Sequence, residues 1–259
     1  MISVTTAQLN ALLAAFAWPL ARILALIASA PVIGNPRVPA RLKIALGLLI
    51  TVLVAPLVPS PQGIDPASAD GLLIMAQQVL IGLAMGFTMQ VVFHAAEMAG
   101  EFIGLQMGLG FATLYDSSVP GMIPVIGQFL GVVVALAFLA VDGHLLLVSV
   151  LVESFQVLPL APLLAPSGLR AVAEWGSSIF SFGLALALPL LAALLITNLA
   201  LGVLTRAAPQ LNIFAVGFPL TILVGFLGLT LVLPYFAPSL ERLFMDGLAQ
   251  MLRLAAALR

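Results

Sequence analysis

Long apolar runs alternate along this chain with short breaks rich in proline and glycine. The runs cover about 11–33, 43–59, 72–93, 125–158, 179–204 and 211–236. A helix crossing a bilayer needs roughly 20 mostly apolar residues, so each run predicts a membrane helix. The fourth is too long for one crossing and carries Asp142-Gly143-His144 in its middle. It predicts either one long tilted helix or two short helices in a re-entrant hairpin. Prolines collect where runs stop, as at Pro31, Pro36 and Pro39, at Pro56, Pro59 and Pro61, and at Pro159, Pro162 and Pro166. Such clusters mark helix ends. Pro189, Pro219 and Pro234 fall inside or near the end of later runs and predict kinks. The last stretch, 239–258, sets Leu240, Leu243, Phe244, Leu248, Met251 and Leu252 near one face. That is the pattern of an amphipathic helix lying at an interface or against a partner helix.

Composition narrows the class. The 259 residues are 63% hydrophobic and 7% charged, with a mean hydropathy of +1.24, where a soluble domain carries about a quarter charged residues. The Leu- and Ala-rich runs lack the two-residue alternation of a closed barrel. The fold class is therefore all-α: a polytopic membrane-type protein with kinked helices and helical hairpins. A net charge of −1 offers nothing to nucleic acid and no polybasic anchor. The absence of cysteine removes disulfides, thiolate metal sites and cysteine nucleophiles together. "ASA" at 28–30 imitates a signal-peptide cleavage site, but it lies deep, precedes Pro31 and follows no basic region, so 1–33 is read as retained helix. Sidedness is divided. "NPRVPARLK" at 35–43 suits the cytoplasm and the acidic 60–71 the opposite side, while counting 125–158 once or twice reverses the C-terminus.

Three constellations could carry function. Ala96, Gly100, Gly104 and Gly108 recur every four residues, a smooth helical stripe that lets another backbone approach closely. Gly82 and Gly86 form a shorter instance. On a neighbouring face stand His94, Glu97 and Glu101, preceded by Gln90. Their spacing puts them side by side and suits a water-filled cavity or a protein partner. A metal site would need further ligands, for which Asp142 and His144 are the other candidates. Arg22, Glu153 and Arg206 are isolated charges in or beside apolar runs. Arg22 predicts a partner carboxylate or a helix end, and Arg206 a turn.

The third constellation is "GLQMGLGFATLYDSSVPGM" at 104–122. It is too broken to span a bilayer, and irregular backbone at membrane depth survives only inside protein or beside water. Its glycines supply backbone freedom, and Met107, Leu109, Phe111, Leu114 and Met122 supply deformable apolar cover. This is the material of a gate; the plainer reading is an ordinary connection. No HExxH, GxSxG, Walker-type loop or GxGxxG is present, so an enzyme is not expected. A small-solute or ion transporter with a broken-helix gate is the alternative, although no second broken helix matches the first.

"GEFIGLQMGLGFATLYD", "PVIGQFLGVVVALAFLAVDGHLLLVSVLVESFQVLP" and "NLALGVLTRAAPQLNIFAVGFPLTILVGFLGL" together resemble the FliR-type family of type III secretion export-gate proteins, in order and spacing over essentially the whole chain. The resemblance implies a core subunit of the flagellar export gate in the bacterial inner membrane, built into a helical hetero-oligomeric cone with FliP-type, FliQ-type and FlhB-type subunits. It implies unfolded protein as cargo, no cofactor, and no metal. Residues 1–175 would be a FliP-like part and 176–259 a FliQ-like hairpin with an amphipathic tail. The loop 104–124 would plug the channel through Gln106, Met107, Gly110, Phe111, Thr113, Tyr115 and Asp116. Ala96, Gly100, Gly104 and Gly108, with the Glu97 and Glu101 face, would then pack against neighbouring subunits.

Overall fold

Two of the helices outrun the apolar segments that announce them. The structure, a computed structural model, describes residues 6–59, 64–110, 125–160, 165–210 and 213–259. Among these there is no strand. The helices are α1 (Thr6–Ser29), α2 (Ala40–Val54), α3 (Ala69–Gln106), α4 (Val125–Ala140), α5 (Gly143–Val157), α6 (Pro166–Gly176), α7 (Ser178–Ala207) and α8 (Ile213–Ala257), with a 3-10 turn at Ala55–Leu57. The run at 72–93 becomes a helix of 38 residues, about 57 Å long at 1.5 Å per residue. It carries the His94, Glu97 and Glu101 face on its later turns. The run at 211–236 and the amphipathic tail fuse into one helix of 45 residues that contains Pro219, Pro234 and Pro238.

Among the described residues, four helical stretches are long and apolar enough to cross a membrane: Ala40–Leu57, Ala69–Gln106, Pro166–Ala207 and Val216–Ala257; α4 with α5 makes a fifth if counted as one broken span. The break within 125–158 falls at Asp142, whose φ is 54°. Its carbonyl accepts from the Leu145 and Leu146 amides that open α5. Each of α4 and α5 is only about 23–24 Å long, short of a hydrocarbon core of roughly 30 Å. Helix α6 begins on Pro166, a residue suited to a first helical turn.

The chain divides into two compact units, one of Met1–Val91, Asp142–Gly176 and Phe244–Arg259, the other of Val92–Val141 and Ser177–Leu243. This partition by compactness interleaves the chain and cuts across the 1–175 and 176–259 parts.

In the first unit α1 is central. Trp18, Ile23 and Leu26 are wholly buried, and the Trp18 indole donates to the Gly71 carbonyl (3.2 Å). Gly82 and Gly86 of α3 sit against α1, where a Cβ would run into the Arg22 carbonyl and Ser29. Gly47 does the same for α2, against Leu24. Arg22 is completely buried and meets a helix end, not a carboxylate. Its guanidinium donates to the Leu158 carbonyl (2.9 Å), to the Ser154 carbonyl and hydroxyl (3.0 and 3.1 Å), and to Gln78 Oε1 (2.7 Å), and it stacks 4.1 Å over the Phe155 ring. The Ser154 carbonyl also accepts from the Leu158 amide, and carbonyls at a helix C-terminus carry partial negative charge, so the cation completes the end of α5. Glu153 and Arg206, by contrast, are exposed, Arg206 in the last turn of α7. The tail of α8 turns its Phe244, Leu248 and Met251 inward. It closes on its own chain: the Ala165 amide donates to the Leu258 carbonyl (3.0 Å).

Candidate functional site

In the second unit the later half of α3 is surrounded by three helices, each of which approaches through a glycine. Against α4, a Cβ on Gly100 would lie 2.6 Å from the Gly127 Cα. Against α7, a Cβ on Gly183 would lie 2.9 Å from the Ala95 carbonyl oxygen and 3.0 Å from the Met98 Cβ. Against α8, a Cβ on Gly225 would lie 2.5 Å from the Met107 side chain. Phe93 and Phe138 pack edge to face with ring centres 5.3 Å apart, a favourable aromatic geometry. Contacts this close leave no room for even a methyl group, so three helices close around α3.

The end of α3 is built with equal definition. The Leu109 amide donates back to the Gly104 carbonyl and the Gly108 amide to the Leu105 carbonyl, both at 3.0 Å, with Gly108 at φ 83°. This pair of bonds around a left-handed glycine is the Schellman cap. Two carbonyls of this last turn are reached by side chains from other helices. Asn198 of α7 extends Nδ2 toward the Gln106 carbonyl (3.4 Å), and the Thr221 hydroxyl of α8 lies 3.1 Å from the Met107 carbonyl. The Met107 side chain is buried against Gly225. Gly110 follows, with Leu105 Cδ2 3.0 Å from the place of a Cβ.

The expected site residues are therefore distributed as follows. Ala96, Gly100 and Gly104 lie on α3 and are buried, with Gly100 packed within this chain against Gly127. A Cβ on Gly104 would meet only Ile126, at 3.7 Å, which is ordinary contact. Gly108 departs from the stripe: α3 ends at Gln106, and Gly108 serves the cap. His94 is exposed, its Nδ1 2.8 Å from Glu97 Oε2. Glu97 and Glu101 are half-buried along α4, where Gly131 leaves space for Glu97; a Cβ on Gly131 would lie 2.9 Å from Glu97 Oε1. Among the described residues, no three His, Cys, Asp or Glu side chains gather as metal ligands. Gln106, Met107 and Gly110 belong to the capped end, whereas Phe111, Thr113, Tyr115 and Asp116 lie outside the described residues. Sequence reasoning missed Asn198, Thr221 and Gly225. The four-residue spacing of Thr221 and Gly225, which puts both on one face of α8, was the available signal.

Residues 13–247 match the family described as bacterial export proteins, family 1. The chain is similar to the flagellar biosynthetic protein FliR of Escherichia coli K12, 45% identical over 247 residues, which cover 95% of this chain and 94% of that protein. FliR of Pectobacterium carotovorum is 47% identical over 89% of this chain and 88% of its own length. FliR of Bacillus subtilis is 30% identical over 80% and 81% respectively.

Proposed function

This chain belongs to the bacterial export proteins of family 1, and from that premise we propose that it is the core subunit of the flagellar type III export gate, forming and plugging the channel for unfolded flagellar proteins. It is a multi-pass protein of the inner membrane and a component of the flagellar export apparatus. The finer reading adds FliP-type, FliQ-type and FlhB-type subunits as its partners, with 1–175 the FliP-like part and 176–259 the FliQ-like hairpin. The chain catalyses no reaction in this reading, and the energy for export comes from its partners.

One observation supports the plug most directly. The helix that leads into 111–124 ends in a defined glycine cap, with Met107 held on a neighbouring helix. A stopper must be rooted in rigid structure yet free to change course beyond its root. Gly108 supplies the change of backbone direction. A conduit for varied chains also gains from a compliant apolar seal, and methionine repacks without one fixed rotamer. In this reading the Glu97–Glu101 face packs against neighbouring subunits, while Gly100 packs within the chain against Gly127.

Co-expression with FliP-type, FliQ-type and FlhB-type subunits tests the assembly. The expected result is one stable complex containing all of them. A solitary chain that moves a small solute in reconstituted vesicles would favour the transporter instead.

A further inference from the structure

The end of α3 is tied to α8 by a hydroxyl with one proton and two acceptors. Thr221 Oγ1 lies 3.1 Å from the Met107 carbonyl and 3.0 Å from the Phe218 carbonyl, one turn back in its own helix. Thr221 and Met107 are both buried, and Gly225, one turn further along, gives the Met107 side chain its seat. A buried donor left without an acceptor is costly, and that cost ordinarily locks a buried contact in place. Here it does not arise on the threonine side. When the Met107 carbonyl withdraws, the Thr221 proton remains with Phe218, a bond that threonine commonly makes inside helices. The contact can therefore open without orphaning its donor.

We infer that Thr221 is a positioning residue of the gate, a releasable clasp that holds the Met107 carbonyl and so fixes the point from which the chain beyond Gly108 departs. This rests on the reading of 104–124 as the plug. Gly225 is the second half of the clasp, because any side chain there would displace Met107. The Asn198 amide, at 3.4 Å from the Gln106 carbonyl, adds a weaker tie from α7. Thr221 and Asn198 act on backbone carbonyls at the end of α3, and Gly225 on the Met107 side chain.

The test is resting ion flux in cells carrying the native export apparatus with Thr221→Val, Thr221→Ser, or deletion of 111–119. Valine keeps the shape and removes the proton; serine keeps the proton. The amount of assembled complex is measured alongside by native gel. One net hydrogen bond predicts a roughly 2- to 10-fold rise in resting leak for Thr221→Val, at normal assembly, with Thr221→Ser at the wild-type level. If deletion leaks and Thr221→Val does not, the clasp is refuted and the plug stands. Equal leak from the valine and serine variants also refutes it, since shape would then matter and the hydroxyl would not. If deletion itself causes no leak, the plug reading fails. Should Thr221→Val reduce assembly, leak per assembled complex is compared with that of Gly225→Ala: a rise in both supports the clasp, and no rise in either refutes it.

Discussion

A side chain on Gly100 would occupy the backbone of Gly127: its Cβ would lie 2.6 Å from the Gly127 Cα and 2.7 Å from the Gly127 amide nitrogen. Backbone cannot rotate aside as a side chain can, so α3 and α4 would have to part. Gly100→Ala is expected to destabilise the folded chain by about 1–3 kcal/mol, the usual cost of overpacking. Gly104→Ala, which meets Ile126 only at ordinary contact distance, should change stability little. Thermal unfolding of the purified complex compares the two. Equal effects would remove the Gly100–Gly127 contact as the tight point of the stripe.

Arg22 supports a second prediction. Arg22→Ala leaves Gln78 and the Ser154 and Leu158 carbonyls without their shared donor in a buried site, for a loss of about 2–4 kcal/mol. Arg22→Lys should recover only part of it. A lysine ammonium lacks the planar fork that reaches three residues and stacks on Phe155 at once. Full recovery by lysine, read as melting temperature, would show that charge alone matters there.

Gly108 supports a third. At φ 83° an L side chain is strained, so Gly108→Ala should cost about 1 kcal/mol, and Gly108→Val more. Trypsin or chymotrypsin sensitivity near the end of α3 should rise with it. No change in either variant would contradict the cap.

The His94–Glu97 pair is exposed, and exposed pairs contribute roughly 0–1 kcal/mol. His94→Ala should leave the melting temperature within a degree or two of wild type. A large destabilisation would mean that the pair is buried in the assembled protein, which co-purification with partners would then show.

The hydrophobic pattern made the helical class plain, and it failed at element lengths for a physical reason. A hydropathy window ends where polar groups begin, whereas a helix ends where its carbonyls are capped. The apolar run therefore stopped at 93, yet α3 runs on to Gln106 and its cap at Gly108. The apolar run likewise ended at 236, yet α8 continues through Pro234 and Pro238 into the amphipathic tail. Helix α6 was invisible because it is short and mixed in polarity. Arg22 was legible as a charge that needed a carboxylate or a helix end, but the choice between them, and an end that lay 132 residues away, was not. Gly108 was misread because spacing by four suggests a stripe as readily as a cap. Thr221 and Gly225 drew no notice because a threonine and a glycine in an apolar helix look ordinary until Met107 is placed against them.

The most direct measurement of the central claim is ion conductance of the assembled export gate after removal of Phe111–Val119, a segment outside the described residues. The account predicts intact assembly with a marked resting leak, because the root at Met107 and Gly108 remains while the stopper is gone. Assembly with conductance unchanged from wild type would contradict it.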